Sequence, residues 1–123
     1  MERRKWCNGG YYNALPAYLK SRVRPVDKQT TKGSQSTTLE TTSDYVFLLS
    51  ERELFGIKTY AANNEGTQYG WYANSSANKN KVSEWWTRSP RKGNSSDFVD
   101  VYNGNTYSGG AGAGRGLAPA FCL

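Results

Sequence analysis

The sequence predicts a single α+β domain, on three observations. The short apolar run Tyr45-Val46-Phe47-Leu48-Leu49 leads directly into the helix-start pattern Ser50-Glu51-Arg52-Glu53. Asn103-Gly104 separates two short β-rich runs, and Tyr12, Leu15, Leu19 and Val23 recur at helical spacing. A chain of 123 residues has room for one modest core but not for two independent ones, so residues 1–123 read as one domain. With 14% aromatic residues and a mean hydropathy of −0.77, it is too aromatic for a disordered segment and too polar for a membrane protein.

Taken in order, the helical spacing predicts a helix over 15–23, with Pro16 in its first turn and Pro25 as its stop. Residues 27–43 carry Thr30, Thr31, Gly33, Ser34, Ser36, Thr37, Thr38, Thr41 and Thr42 and read as a surface excursion. Tyr45 to Leu49 is then a buried strand, and Ser50 with Glu53 forms a capping box for a short helix that Gly56 closes. From Thr59 to Ser83, Asn63, Asn64, Asn74, Asn78 and Asn80 with Gly66 and Gly70 mark a long loop, punctuated by Tyr60, Tyr69, Trp71 and Tyr72. Trp85 to Arg88 is a strand, and Asp97 to Tyr102 with Asn105 to Ser108 is a hairpin around the strongest two-residue turn signal. Gly109 to Gly116 is a nearly side-chain-free loop, and Leu117 to Leu123 is a terminal apolar strand that must pair internally.

The absence of His removes His-based general bases, His metal ligation and every Ser-His or Cys-His nucleophile within this chain. Cys7 and Cys122 sit beside Trp6, Phe121 and Leu123 and read as two reduced core cysteines, too few for a four-ligand zinc site. The whole net charge of +6 lies in residues 1–32, where Arg3, Arg4, Lys5, Lys20, Arg22, Arg24, Lys28 and Lys32 face only Glu2 and Asp27. Such a patch suits a nucleic acid or an anionic surface, but its scatter among different elements reads as ordinary solvated faces. No apolar run approaches a membrane span, and no Sec-type signal stands behind the charged N-terminus. The Gly-rich stretch lacks the Gly-Lys-Ser/Thr ending of a phosphate loop. Asp97 and Asp100 alternate to opposite faces of a strand, which disfavours a catalytic pair or a calcium site. No acid, base and oxyanion site assemble, so neither catalytic residues nor metal nor cofactor are expected.

Trp85-Trp86-Thr87-Arg88-Ser89-Pro90, followed after the hairpin by Gly116-Leu117-Ala118-Pro119-Ala120-Phe121-Cys122-Leu123, resembles a domain family of unknown function from gut bacteria and their phages. Members carry an aromatic-x-Arg-Ser-Pro strand and end in Gly-x-Arg-Pro-Ala-Phe; here Ala118 stands where Arg is usual. Asn13-Ala14-Leu15-Pro16 and residues 44–51 extend the resemblance over most of the chain. That family is similar to the C-type lectin fold, in the branch of formylglycine-generating-enzyme-like and retroelement-diversified ligand-binding proteins. The resemblance implies a small twisted antiparallel sheet with two helices and a C-terminal variable hairpin. It also implies strands upstream of Trp6, so residues 1–6 supply a shortened strand, or the chain is a fragment, or a second chain or a homo-oligomer completes the sheet.

Adenine-directed mutagenesis of AAC or AAT codons never yields Lys, Glu, Gln, Met or Trp. Residues 1–90 contain 21 of these and residues 93–123 contain none, an absence expected about once in a few thousand from composition alone. Together with this count, the resemblance implies non-enzymatic recognition of a host cell-surface protein or glycan, on a phage tail tip or a bacterial surface. The expected ligand contacts are Arg91, Ser96, Asp97, Asp100, Tyr102, Asn105, Tyr107, Ser108 and Arg115, supported by Trp85, Trp86, Phe98, Val101 and Phe121. The Glu-Pro-Asn and Trp-Asn-Asp calcium-sugar signatures are absent, so the fold alone does not imply a sugar. The alternatives are a formylglycine-generating-like oxidase using its cysteines, and a nucleic-acid or anionic-surface binder using residues 1–32.

Overall fold

The N-terminus is helical. The computed structural model describes residues 2–33, 36–81 and 83–123, so Met1, Ser34, Gln35 and Val82 lie outside the described residues. α1 (Glu2–Trp6), a π-helical turn (Cys7–Tyr11) and α2 (Tyr12–Ala14) run on through helical backbone at Trp6 and Tyr12. Of the three alternatives for the upstream strand, a shortened strand within residues 1–6 is thus set aside, because Glu2–Trp6 is helix. Glu2-Arg3-Arg4-Lys5 is a run of good helix formers with no apolar alternation for a sheet to bury. The helix expected over 15–23 shrinks to the single turn α3 (Ala17–Lys20). Leu15 is extended, with ψ of 145°, because a proline ring disfavours helical backbone at the residue before it, and Pro16 follows as the extended cap of α3 with ψ of 144°.

The surface excursion expected over 27–43 is a β-hairpin. β1 (Val26–Thr31) and β2 (Leu39–Asp44) pair antiparallel in register from Val26↔Asp44 to Thr31↔Leu39. β-Branched threonines suit a pleated surface as well as a turn, and here Lys28 and Thr30 are buried on one face of β1 and Thr31 on the other. Val46 to Leu49 are buried as expected, yet only Phe47 makes a strand bridge, to Ala120. A second bridge joins Arg24 to Cys122, so the terminal apolar segment pairs inside the molecule.

Ser50 caps α4 (Glu51–Phe55) as the sequence predicts. Its hydroxyl accepts from the Glu53 amide while Glu53 accepts from the Ser50 amide, and Gly56 closes the helix at φ 74°. The long loop holds α5 (Gly70–Asn74) and a 3₁₀ turn (Ser76–Lys79). The second sheet has the order β3-β4-β5, from Trp85–Pro90, Asp97–Tyr102 and Asn105–Gly110. Asn103 at φ 50° and Gly104 at φ 78° give the mirror-image turn whose twist matches the strands.

All of β3 is buried, which simple alternation does not predict. Between Trp86 and Pro90 the register shifts against β4, and this irregularity re-aims the intervening Thr87, Arg88 and Ser89. The Thr87 hydroxyl donates to the Val99 carbonyl at 2.8 Å and accepts from the Ser89 amide at 3.1 Å, replacing part of the interrupted ladder. Trp85 joins Phe47, Leu49, Leu54 and Val101 in one core cluster, while Trp86 joins Cys7, Val46 and Leu48 in a second. Consecutive tryptophans thus anchor the two faces of one sheet. No described helix is long and apolar enough to cross a membrane.

Candidate functional site

Alternation along the β4–β5 ribbon sorts the expected contact residues. Trp86 lies opposite Asp100, Asp100 opposite Tyr107 and Tyr102 opposite Asn105, so these five share one face. At the turn end of that face Tyr102 and Tyr107 are 44% and 46% exposed, with their rings edge to face at 5.6 Å and exposed Asn105 beside them. The opposite face carries Val99, Val101, Thr106 and Ser108, and the Thr106 hydroxyl donates to the buried Glu51 carboxylate at 2.5 Å. Ser108, expected as a ligand contact, therefore points toward the interior side of the ribbon.

Asp100 is corrected more strongly. Expected to face a ligand, it is completely buried, and its Oδ2 takes the Arg115 Nε at 3.0 Å. Arg115 also reaches Glu84 at 2.8 Å and lies 5.7 Å from the Trp86 ring, so its charge is held within the fold. Gly109 makes room for this arrangement: a Cβ there would come within 3.0 Å of Arg115 Nη2 and 3.2 Å of Asp100 Oδ2. A part-buried ion pair of this kind, with the carboxylate enclosed and the guanidinium covering it, fixes the geometry of the ribbon.

Arg91, Ser96 and Asp97 gather at the other end of the ribbon, about 17 Å from the turn for five strand steps. The Arg91 Nη1 to Asp97 Oδ2 distance is 3.4 Å, the Arg91 guanidinium lies 5.5 Å from the Tyr60 ring, and Ser96 donates to Asn94 within a tight turn. The nine expected contacts thus form two separated groups of three, the Asp100–Arg115 pair, and Ser108 alone on the packed face. Of the expected supports, Trp85, Trp86 and Val101 are buried, whereas Phe98 and Phe121 are half-buried against the Trp86 cluster.

The residues that sequence reasoning missed form a buried charged network beneath β1. Arg88 binds Glu53 Oε1, the Leu48 carbonyl at 2.9 Å, the Gln29 carbonyl at 2.9 Å and the Glu65 carbonyl at 3.3 Å. Lys28 completes it, with Nζ 2.7 Å from Glu53 Oε2 and 2.5 Å from the Tyr69 hydroxyl. Burial alone would raise the Glu53 carboxyl, but the Arg88 charge and the hydrogen bonds from Arg88, Lys28 and Ser50 outweigh it and hold it below its ordinary value. Arg88-Ser89-Pro90 therefore works as a structural joint: Arg88 ties β3 to β1 and α4, and Ser89 accepts from the Glu51 amide at 3.0 Å. The sequence signal was there, in an Arg flanked by buried strand residues and a Glu with a capping role.

Glu65 shows the opposite balance. Its burial pushes the carboxyl up, against weaker pulls from hydrogen bonds of Ser89 and Thr31 and from the Arg88 charge. A folded-state value above the unfolded one makes ionisation a burden on the fold, absent below the ordinary value of 4.5 and growing as pH rises toward the folded value. Glu65→Gln keeps an acceptor for the Thr31 amide, which lies 2.5 Å from Glu65 Oε2, without the charge. The variant is expected to match or exceed the parent in urea midpoint at pH 7, with the difference shrinking toward pH 4. A loss above about 1 kcal/mol at pH 7 would contradict this.

The two thiols lie apart in the packing. Cys7 is fully buried in the Trp86 cluster, where burial and the nearby Asp44 charge push it up to about 11, while Cys122 packs against the Trp85 cluster, and both are free. Much of the basic N-terminal excess is also used internally. Arg4 pairs with Asp44 at 2.6 Å, Lys28 with Glu53, and the Arg3 guanidinium lies 4.3 Å from the Trp86 ring and 4.8 Å from the Phe98 ring.

No curated protein and no solved structure matches the chain. A family model described as Domain of unknown function (DUF6273) matches residues 2–123. The chain, over nearly its full length, is thus a member of the DUF6273 family.

Proposed function

We propose that the domain is a non-enzymatic recognition module of C-type lectin-like type, in which the turn end of the β4–β5 hairpin is a diversified surface that binds a host cell-surface protein or glycan. The carrier in this reading is a phage tail tip or a bacterial surface. The observation that carries it is the pair Tyr102 and Tyr107, exposed and edge to face beside Asn105, on a ribbon whose other face is packed. Rigid tyrosines give large amphipathic contact area at low entropic cost, and Asn adds adaptable hydrogen bonding. Beneath them, Asp100, Arg115 and the Arg88 network hold a frame that need not change when the tip does.

The reading is tested in the DNA flanking the gene. A near-identical copy of the codons for about residues 86–123 is expected beside a reverse-transcriptase gene, differing at the codons for Tyr102, Asn105 and Tyr107 where the copy has adenine. Copy differences confined to the codons of the buried frame, or an intact locus with no copy, would remove diversification from the proposal.

A further inference from the structure

A second surface lies away from the hairpin tip. Phe47, Leu49, Tyr69, Trp71, Tyr72, Ala120, Phe121 and Cys122 line an open groove of about 230 Å³. Trp71 is 60% exposed on its wall, with its ring 4.9 Å from that of Tyr72 in an edge-to-face arrangement. None of the lining side chains is charged, and the Tyr69 hydroxyl is already engaged by Lys28 at 2.5 Å. The lining offers few hydrogen-bonding side chains, so it suits an apolar or aromatic side chain.

Positive charge lies at the Cys122 end of the groove, whereas Asp27 and Glu53 line the adjoining pocket on the far side of Tyr69. Directly opposed residues of an antiparallel bridge share a face, and so do residues two apart on an extended strand. The bridges Arg24↔Cys122 and Phe47↔Ala120 therefore place Arg24 on the same face as Cys122, Ala120 and Phe47, at the end of the groove. Arg24 is exposed and has no ion-pair partner among the described residues, and Arg22 lies two residues before it. Behind the wall, Lys79 Nζ donates to the Tyr72 carbonyl at 3.0 Å and Lys28 Nζ lies 4.1 Å from the Phe47 ring. Among the described residues, the one carboxylate on that buried Lys28, from Glu53, is shared with Arg88.

We propose that this groove docks an acidic peptide segment of a partner protein, which seats an aromatic or large aliphatic side chain against Trp71 and sets its carboxylates beside Arg24. The site is independent of the hairpin reading. The probe is a fluorescein-labelled Asp-Glu-Asp-Leu-Phe-Asp-Glu-Asp peptide, followed by fluorescence anisotropy at low ionic strength. Saturable binding is expected, weakened about tenfold or more by Trp71→Ala and severalfold by Arg24→Glu, and lost for the Asn/Gln analogue and for the Ser-Ser replacement of Leu-Phe. The exposed positions of Trp71 and Arg24 allow both variants to keep the parent urea midpoint. A hairpin variant, Tyr102→Ala with Asn105→Ala and Tyr107→Ala, should bind the peptide as the parent does, so failure here and failure of the hairpin reading are separable. Absence of saturable binding, equal binding of the uncharged analogue, or unchanged binding by Trp71→Ala would overturn the proposal.

Discussion

Replacing Arg88 by Met is expected to destabilise the domain by about 3–5 kcal/mol, read as a large fall in urea midpoint with little change in slope. The guanidinium is 8% exposed as a side chain and joins Glu53 to the carbonyls of Gln29, Leu48 and Glu65. Met fills much of the same volume, so the loss comes from the charge and hydrogen bonds rather than from a cavity. Glu53 would keep Lys28 but lose its stronger neutralising partner in a buried setting. Against a total stability of about 5–15 kcal/mol for a domain of this kind, the change approaches global unfolding. A shift below about 1 kcal/mol would show that the network is not a joint at all.

The same network sets the acid limb of stability. Because the Glu53 carboxyl is held below its ordinary value of 4.5, its contribution is fully present above that value and is lost as pH falls through the folded one. Arg88→Met removes the main cause of the depression. The acid limb of the variant should therefore be flatter than that of the parent when unfolding is followed from pH 7 to pH 3.

What the sequence made legible was local. Ser50, Glu53 and Gly56 mark their helix by side-chain-to-backbone bonds within one turn, and Asn103-Gly104 marks its hairpin by positive φ at two adjacent residues. The β1–β2 hairpin was hidden because Lys, Gln, Thr and Ser read as loop, and Lys28 is buried against Glu53 and Tyr69, 25 and 41 residues away. Proline placement was legible at Pro16, but the preceding Leu15 decided where the helix broke.

The site divides in the same way. Tyr102, Asn105 and Tyr107 follow from alternation next to a turn, which local pattern supplies. Asp100 does not, since its burial depends on Arg115 reaching back over the ribbon and on the missing side chain of Gly109. Arg91, Ser96 and Asp97 lie on the same ribbon, but its length separates them from the tip. Arg88 was visible only as part of a motif, because its partners come from β1, α4 and the segments around Leu48 and Glu65.

Binding is placed at the hairpin tip, so the triple replacement Tyr102→Ala, Asn105→Ala and Tyr107→Ala is expected to have a large effect. Asp100 is left in place because its buried pair with Arg115 belongs to the frame, and its loss would confuse folding with binding. Removing two exposed aromatic anchors and one hydrogen-bonding side chain should weaken binding about 100-fold or more, since such anchors dominate interface energetics. The decisive measurement is the affinity of parent and triple variant for a ligand selected by the parent from panels of host-surface proteins and glycans, with urea midpoints measured alongside. Loss of binding at an unchanged midpoint is expected; full affinity in a folded triple variant would contradict recognition by the hairpin tip.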